Sequence, residues 1–467
     1  MQAVRLGAVV GLAVLFLATL FWVSAATANT IISSSRPETV NTESLSNGTV
    51  ITVGVGAALS VIPALGWRQV NAVQLAVEKV NASGGINIAG TMHTLTLVTA
   101  DDGCNATQGA TAANALLNAG AVAVIGYTCS GASNGAQPLH AAASVPMISL
   151  SSTDPLVTEQ GNTTTLRVIS RDDRPPTLLA TYLRNWLYLE GAAIVELDGF
   201  WGNWATDGIS TTFTSLGGNI TSRRTVSSIE QFTTTSTAIQ AEDADVIFYS
   251  DGDSANAALL SRVAHNLGMT DTIIAWNTFS EDETVLVDYA AGGGIAAEGY
   301  HAVMFYRRTQ DMPGYEVFND AYKAAGFSNY GDEARTVGAY AYDAANIIIS
   351  AIERAQSTNP KDLCDAIAST TNYQGVVGIY EGFDARGDVI PQWAWLVRYS
   401  NGQWMILHPG KVFLPLTLLR ARNEPNLLAA NSLRCPCISW IGGESTARKS
   451  PRHPQLKSAS RRLRMLC

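Results

Sequence analysis

The segment from His93 to Pro155 constrains the fold more than any other part of the chain, because strand-like and helix-like patterns alternate through it without a break. His93 to Thr99 (HTLTLVT) alternates apolar and polar residues as a strand does, and Asp101-Asp102-Gly103 ends it. Ala106 to Ala119 has helical composition up to Gly120. Ala121 to Gly126 (AVAVIG) reads as a short buried strand, and the turn Thr128-Cys129-Ser130-Gly131 opens a second helix. Pro146 to Ser149 then supplies a strand that runs into Ser151-Ser152-Thr153-Asp154-Pro155. Strand, helix, strand, helix, strand implies a parallel sheet, and such sheets collect ligands outside the carboxyl ends of their strands.

Small hydroxyl residues crowd those ends. The first amides of a helix lack internal partners and the helix dipole is positive there, so a helix start at such an end suits a carboxylate. Ser130 sits where the second helix should begin, with a hydroxyl and an amide for one carboxylate oxygen, and Thr153 approaches from the neighbouring strand end. Capping is the commonest job of Ser and Thr at a helix start. Spacing alone leaves both readings open.

The alternation extends in both directions. Val50 to Ala57 and a helix over Trp67 to Asn81 precede this unit. A second series follows, with strands at Ala192 to Leu197, Asn219 to Val226, Asp245 to Ser250 and Thr272 to Trp276. Its helices fall near Arg174 to Leu189, Trp204 to Leu216 and Ala255 to Leu267. Two series imply an α/β protein of two doubly wound three-layer lobes. The later helices, Pro313 to Ala325, Glu333 to Ala355 and Pro360 to Ser369, cannot all fit on the second lobe. Some must return to the first, which makes a hinge of several chain crossings. Gly375 to Glu381 and Gln392 to Tyr399 read as paired strands, and Asn401-Gly402 turns the chain into a last strand at Trp404 to Leu407. Cys364 reads as a buried helix residue.

Both ends of the chain differ from this body. Met1 to Arg5 carries a positive charge, Leu6 to Val23 is apolar apart from Thr19, and Ala26-Thr27-Ala28 is a small-x-small cleavage site. This is a secretory signal over 1–28, although the apolar run is also long enough for an uncleaved membrane anchor. A Ser/Thr/Asn-rich linker covers 29–48. Export makes a Cys104–Cys129 disulfide plausible. From Gly410 onward eleven Lys or Arg face two acidic residues, so the -9 of the whole chain leaves about -18 on residues 1–409 by subtraction. Nucleic acid is therefore not the partner of the body. The tail over 410–467 has little periodicity and is read as unstructured, with a misread frame or a basic interaction arm as the other possibilities.

The residues carry a family likeness from about Val50 to His408. It rests on Asn81-Ala82-Ser83-Gly84-Gly85-Ile86, Asp101-Asp102-Gly103-Cys104, Ile125-Gly126 with Cys129-Ser130, and Met147-Ile148-Ser149 with Thr153-Asp154-Pro155. Phe383-Asp384-Ala385-Arg386-Gly387-Asp388 adds a late match. The chain resembles the type I periplasmic solute-binding proteins, in particular the leucine/isoleucine/valine-binding branch. The resemblance implies a protein that closes two lobes on an amino acid or related small carboxylate and presents it to an ABC-type membrane permease. By the same resemblance Ser130 and Thr153 hold the ligand carboxylate, with the backbone at Ser151 contributing. Trp201, before Gly202, closes over the ligand, and Leu65-Gly66-Trp67 lines the side-chain pocket. The family anchors the ligand ammonium with an acidic residue where this chain has Asn277. An amide offers a dipole where a charge-assisted bond is expected. Asp251 or Asp253, after Phe248-Tyr249-Ser250, are the substitutes in reach, with Tyr249 counted among the candidate ligand residues.

The lobes implied are 49–170 and 171–301, with returns to the first over 302–376 and to the second and the hinge over 377–409. The same architecture serves ligand-sensing receptors, which leaves a sensor for a small polar solute as the alternative. Catalysis has one handle: Gly131-Ala132-Ser133-Asn134-Gly135 fits the Gly-x-Ser-x-Gly elbow of serine hydrolases, with His301 downstream. That elbow needs its Ser directly after a strand, and here the strand ends near Gly126. Dinucleotide, phosphate-loop and zinc motifs do not occur, so no cofactor is expected.

Overall fold

Nine residues, Thr49–Ala57 (TVITVGVGA), form strand β1 and run parallel to β3 (Thr91–Asp101) from Thr49↔His93 to Ala57↔Asp101. The computed structural model describes residues 49–197, 202–250, 254–277 and 284–408. The expected signal, linker and basic tail lie outside these residues, as do Trp201, Asp251 and Asp253.

The first lobe is a six-stranded sheet in the order β2-β3-β1-β4-β5-β6. Helix α1 (Pro63–Ala82) follows β1, and a hairpin joins β2 (Ile86–Ile88) to β3. Then come α2 (Ala106–Asn118), β4 (Ala123–Ile125), α3 (Ser130–Ala143), β5 (Met147–Ser149), the short helix α4 (Leu156–Glu159) and β6 (Thr165–Arg167). β1 lies between β3 and β4, so the strand order reverses at β1 and a crevice opens outside its carboxyl end. Helices α2 and α3 lie close together because two glycines remove the side chains between them. A Cβ on Gly109 would collide with the Ala132 backbone, and one on Gly135 with the Ala106 carbonyl. Gly135 thus serves helix packing rather than a nucleophile elbow.

The second lobe has the order β17-β16-β11-β10-β9-β7-β8. Its first part runs α5 (Arg174–Asn185), β7 (Gly191–Leu197), α6 (Gly202–Ser215), β8 (Asn219–Val226), α7 (Phe232–Gln240), β9 (Val246–Ser250), α8 (Ser254–Asn266), β10 (Ile273–Asn277), α9 (Thr284–Gly293) and β11 (His301–Met304). Here the order reverses at β7, between β8 and β9. Val195, Ile247 and Tyr249 pack into one apolar cluster, and Ile194, Val246 and Phe248 into another on the opposite face.

Three helices then return to the first lobe: α10 (Tyr315–Ala325), α11 (Arg335–Ala355) and α12 (Pro360–Ala368). α11 buries Val337, Ala341, Ala344, Ile348 and Ala351 at three- and four-residue spacing, and it packs along α1 where Gly338 meets Ala72. Among the described residues the chain therefore passes between lobes three times, after β6, after β11 and before β16.

Local pattern misjudged the region after α12. Gly375 to Glu381 is not one strand. Tyr373–Gln374 (β12) pairs with Ile379–Tyr380 (β13), and Gly382–Phe383 (β14) with Val389–Ile390 (β15). Buried Asp343 explains the break, because its carboxylate accepts from the amides of Val376 (2.7 Å) and Val377 (2.9 Å) and from the Tyr380 hydroxyl (2.9 Å). The final hairpin forms as Trp395–Ser400 (β16) and Gln403–His408 (β17), and β16 pairs antiparallel with β11. Cys364 lies on α12 but is only half-buried, its thiol 3.5 Å from the Ser144 carbonyl oxygen.

Candidate functional site

Outside the carboxyl ends of β1, β3, β4 and β5, side chains tie one strand end to the next. Asp102 is fully buried and accepts from the amides of Cys104 (2.8 Å) and Thr128 (2.8 Å). Burial pushes its carboxyl up to about 6, although those amides favour the charged form. The Thr128 hydroxyl accepts from the Ala58 amide (2.9 Å) and donates to Gln69 (3.0 Å), so it bridges β4 to β1 across the crevice. Ser133 and Ser152 share a 2.8 Å hydrogen bond, and Ser152 also donates to the Tyr127 carbonyl. The Cys104–Cys129 disulfide joins the entrances of α2 and α3.

Within this frame Ser130, Ser151 and Thr153 come together. Ser130 is the first residue of α3, is 8% exposed, and accepts from the Asp154 amide at 3.3 Å. The Ser151 hydroxyl donates to the Thr128 carbonyl at 2.7 Å. Thr153 is half-buried, its carbonyl accepts from the Asp172 amide at 2.8 Å, and its side chain hydrogen-bonds the Asp172 carboxyl. Burial pushes that carboxyl up to about 7.

Neither Ser130 nor Thr153 caps a helix. The residue at the cap of α3 is Cys129, which makes no side-chain cap, and α4 is preceded by Pro155, with Asp154 accepting from the Leu156 amide. The first-turn amides of α3 therefore stand at the crevice without a cap of their own, at the positive end of the helix.

The other expected residues separate. Trp67 lies half-buried in the second turn of α1, and its neighbour Gly66 packs on the Ala58 carbonyl beside the crevice. Asn277 is the last residue of β10, beside Ser250 and Val303, and its side chain is outside the described residues. Tyr249 is a correction: its ring is fully buried and packs edge-on to Phe232 at 5.7 Å, so it belongs to the core of the second lobe. Ser133 is likewise buried and engaged with the Tyr127 amide and Ser152, while His301 sits on β11 of the other sheet. That separates the two residues of the hydrolase alternative.

Sequence reasoning gave no role to Asp102, although it lies in the Asp101-Asp102-Gly103-Cys104 motif, nor to Thr128, Gln69 and Arg167, and all four hold the site. Two signals were present: a Gln on the buried face of α1, and a single Arg inside the apolar run Leu166-Arg167-Val168-Ile169.

A sequence profile described as periplasmic binding protein matches residues 51–403. The chain belongs to the periplasmic binding protein family. As a member, it is an extracytoplasmic solute-binding protein, and among its relatives is the Leu/Ile/Val-binding protein BraC3 of Rhizobium johnstonii. That protein is 29% identical over 310 residues, covering 66% of this chain and 80% of its own length. An amino acid binding protein of Pseudomonas aeruginosa is 27% identical over 328 residues, covering 69% of this chain and 82% of its own length. An ABC transporter substrate-binding protein from Desulfitobacterium hafniense, solved in complex with Leu, superposes with a TM-score of 0.60 at 25% identity, over 77% of this chain and all of the other. The profile match takes in strands of both large sheets.

Proposed function

We propose that this binding protein captures an amino acid between its lobes and delivers it to an ABC-type permease, acting by binding rather than catalysis. The uncapped start of α3 at the crevice carries the reading. Its free amides, the Ser130 hydroxyl and Thr153 suit a carboxylate, and related proteins bind leucine, isoleucine and valine. Trp67, half-buried on α1 next to Gly66, supplies apolar surface for a side chain. Export rests on the segment 1–28, and the apolar run within it holds the protein at the membrane wherever cleavage after Ala28 does not occur. Ammonium recognition falls to the second lobe, where Asn277 ends β10. An amide there favours the ammonium less than a carboxylate does, so the affinity for an α-amino acid should be lower than in an otherwise equal site with an acid.

Closure follows from contacts shared between lobes: a ligand that touches both shifts the population toward the closed form, and a permease reads that form from the lobe surfaces. A thermal-shift panel of branched, polar and acidic amino acids, amides, urea and short carboxylates tests the reading. A ligand at about one hundred times its Kd should stabilise the protein by about 2.7 kcal/mol. Stabilisation by leucine, isoleucine or valine supports the proposal. Stabilisation only by compounds without an ammonium, or by none of the panel, overturns the amino-acid assignment.

A further inference from the structure

The Phe383–Asp388 motif marks the family likeness, yet the ligand site above does not use it. The structure gives it a place. Asp384 closes the turn by accepting from the amides of Arg386 (2.9 Å) and Asp388 (3.0 Å), and the Asp388 side chain is thereby held inside the protein. There Oδ1 of Asp388 accepts from Arg167 Nε (2.9 Å) and Nη2 (2.5 Å), and Oδ2 accepts from Arg171 Nη1 (3.1 Å). All three side chains are buried. Burial alone would raise the Asp388 carboxyl, but the two arginines outweigh it and hold the group below its usual range.

The remaining donor of Arg167 points at the ligand loop. Nη1 donates to the carbonyls of Ser152 (3.2 Å) and Asp154 (2.8 Å), the two residues that flank Thr153. Thr158 completes the arrangement, accepting from Arg167 Nη2 and donating to Asp388, both at 2.9 Å. Arg171, on the first interlobe crossing, also reaches Glu159 and Asp173, and its amide donates to Gln392 on the third crossing at 3.3 Å. One carboxylate thus joins the loop that carries Thr153 to two of the three segments that must bend when the lobes close.

We propose that Asp388 is a positioning residue for ligand binding: it fixes the Arg167 fork beneath Thr153 and ties that fork to the hinge through Arg171. The proposal rests on the assignment of Ser130 and Thr153 to the ligand. A single carboxylate cannot be replaced by the carbonyls alone, because a buried guanidinium without a counter-charge is costly. Nor does Lys replace the planar fork, since one ammonium cannot meet Asp388 and both carbonyls in the same geometry. A ligand bound at the loop therefore acts on a rigid element continuous with the hinge.

The test uses three variants of the full-length protein. Arg167→Lys keeps the charge opposite Asp388 but loses the fork. Thr158→Val removes one shared hydroxyl and serves as the mild variant if Arg167→Lys fails to fold. Arg386→Ala breaks only the half-exposed pair with Glu159 and is the control. Titration calorimetry with L-leucine, well below each melting temperature, should show Kd raised about tenfold in Arg167→Lys and about threefold in Thr158→Val, with Arg386→Ala unchanged. Hydrogen exchange should rise in 151–154 while β4 stays protected. A purely structural pair would lower melting temperature but leave both the Kd of the folded protein and exchange in 151–154 at wild-type values. That result overturns the proposal. If wild type itself does not bind L-leucine, the ligand assignment fails separately, and exchange in 151–154 alone decides the positioning role.

Discussion

Helices α2 and α3 are near twins in length, both start from a strand end beside a half-cystine, and they lie against each other, yet they are secured in opposite ways. α2 is self-contained: the Asn105 side chain accepts from the Gln108 amide at 3.0 Å, and its buried residues are Gly109, Ala112, Ala113 and Leu116. α3 has no side-chain cap, and its buried face carries Ser133, Gln137 and His140 among alanines. Those polar groups bond outward, Ser133 to the Tyr127 amide, Gln137 to Asn162, and His140 to the Tyr127 hydroxyl at 2.9 Å. A helix that satisfies its own start offers nothing there to a ligand. A helix braced along its flank by neighbouring loops can leave its start free, and α3 does so at the crevice.

The disulfide gives the largest effect with which to break this comparison, because it fixes both entrances at once. It closes a loop with a sequence separation of 25, so the Cys104→Ala/Cys129→Ala variant should lose about 3 kcal/mol of unfolding free energy in urea. A loss below about 1 kcal/mol would mean that packing through Gly109 and Gly135 already fixes the two helices, and that the bond adds little to the frame of the site.

The same pair of helices shows what a sequence can reveal. The strands β1, β7 and β9, the helices α1, α2 and α3, and the half-cystines were legible because each is a local pattern long enough to have a period. β2, β6 and β11 span only three or four residues, too few for periodicity, so Ile86-Asn87-Ile88 was assigned to no element. Ser130 and Thr153 were legible as polar groups at strand ends, while the choice between capping and binding geometry depended on which residue enters the helix. The Arg167–Asp388 pair lies 221 residues apart in sequence, and no local rule connects them. Asp343 misled in the same way, since its pull on Val376 and Val377 breaks a segment that otherwise alternates as a strand.

A pH experiment sharpens the contrast between the apolar face of α2 and the polar face of α3. Burial lowers the His140 imidazole to about 4, against 6.5 for an unperturbed histidine. Above pH 6.5 the group is neutral in both folded and unfolded chains. As the pH falls below 6.5 only the unfolded chain takes up the proton, so the stability linked to His140 declines until the folded value near 4 is reached. Other buried groups titrate in the same window, among them Asp102, so the useful quantity is the difference between wild type and His140→Gln. That difference should shift by about 2 kcal/mol against wild type between pH 7 and pH 5, measured by urea unfolding. A constant difference would show that α3 is not held through a neutral histidine.

The smallest effects are the most decisive, because they should cross over. Asn105→Ala removes the cap of α2 and should cost about 1 kcal/mol of stability, with ligand affinity unchanged. Ser130→Ala removes no helix cap, since its hydroxyl accepts from Asp154 of the next loop at a long 3.3 Å, and the apo melting temperature should barely move. Its cost should appear in binding instead, as an affinity about tenfold weaker for the amino acid that stabilises the wild type, from the loss of one hydrogen bond to a charged group. The physical reason for the crossover is that a hydroxyl serves either its own helix or something outside it. If both variants lose stability and neither loses affinity, the two helix starts are equivalent and the carboxylate seat lies elsewhere. If Ser130→Ala alone weakens binding, the asymmetry between two adjacent helices of one sheet is the basis of recognition in the first lobe.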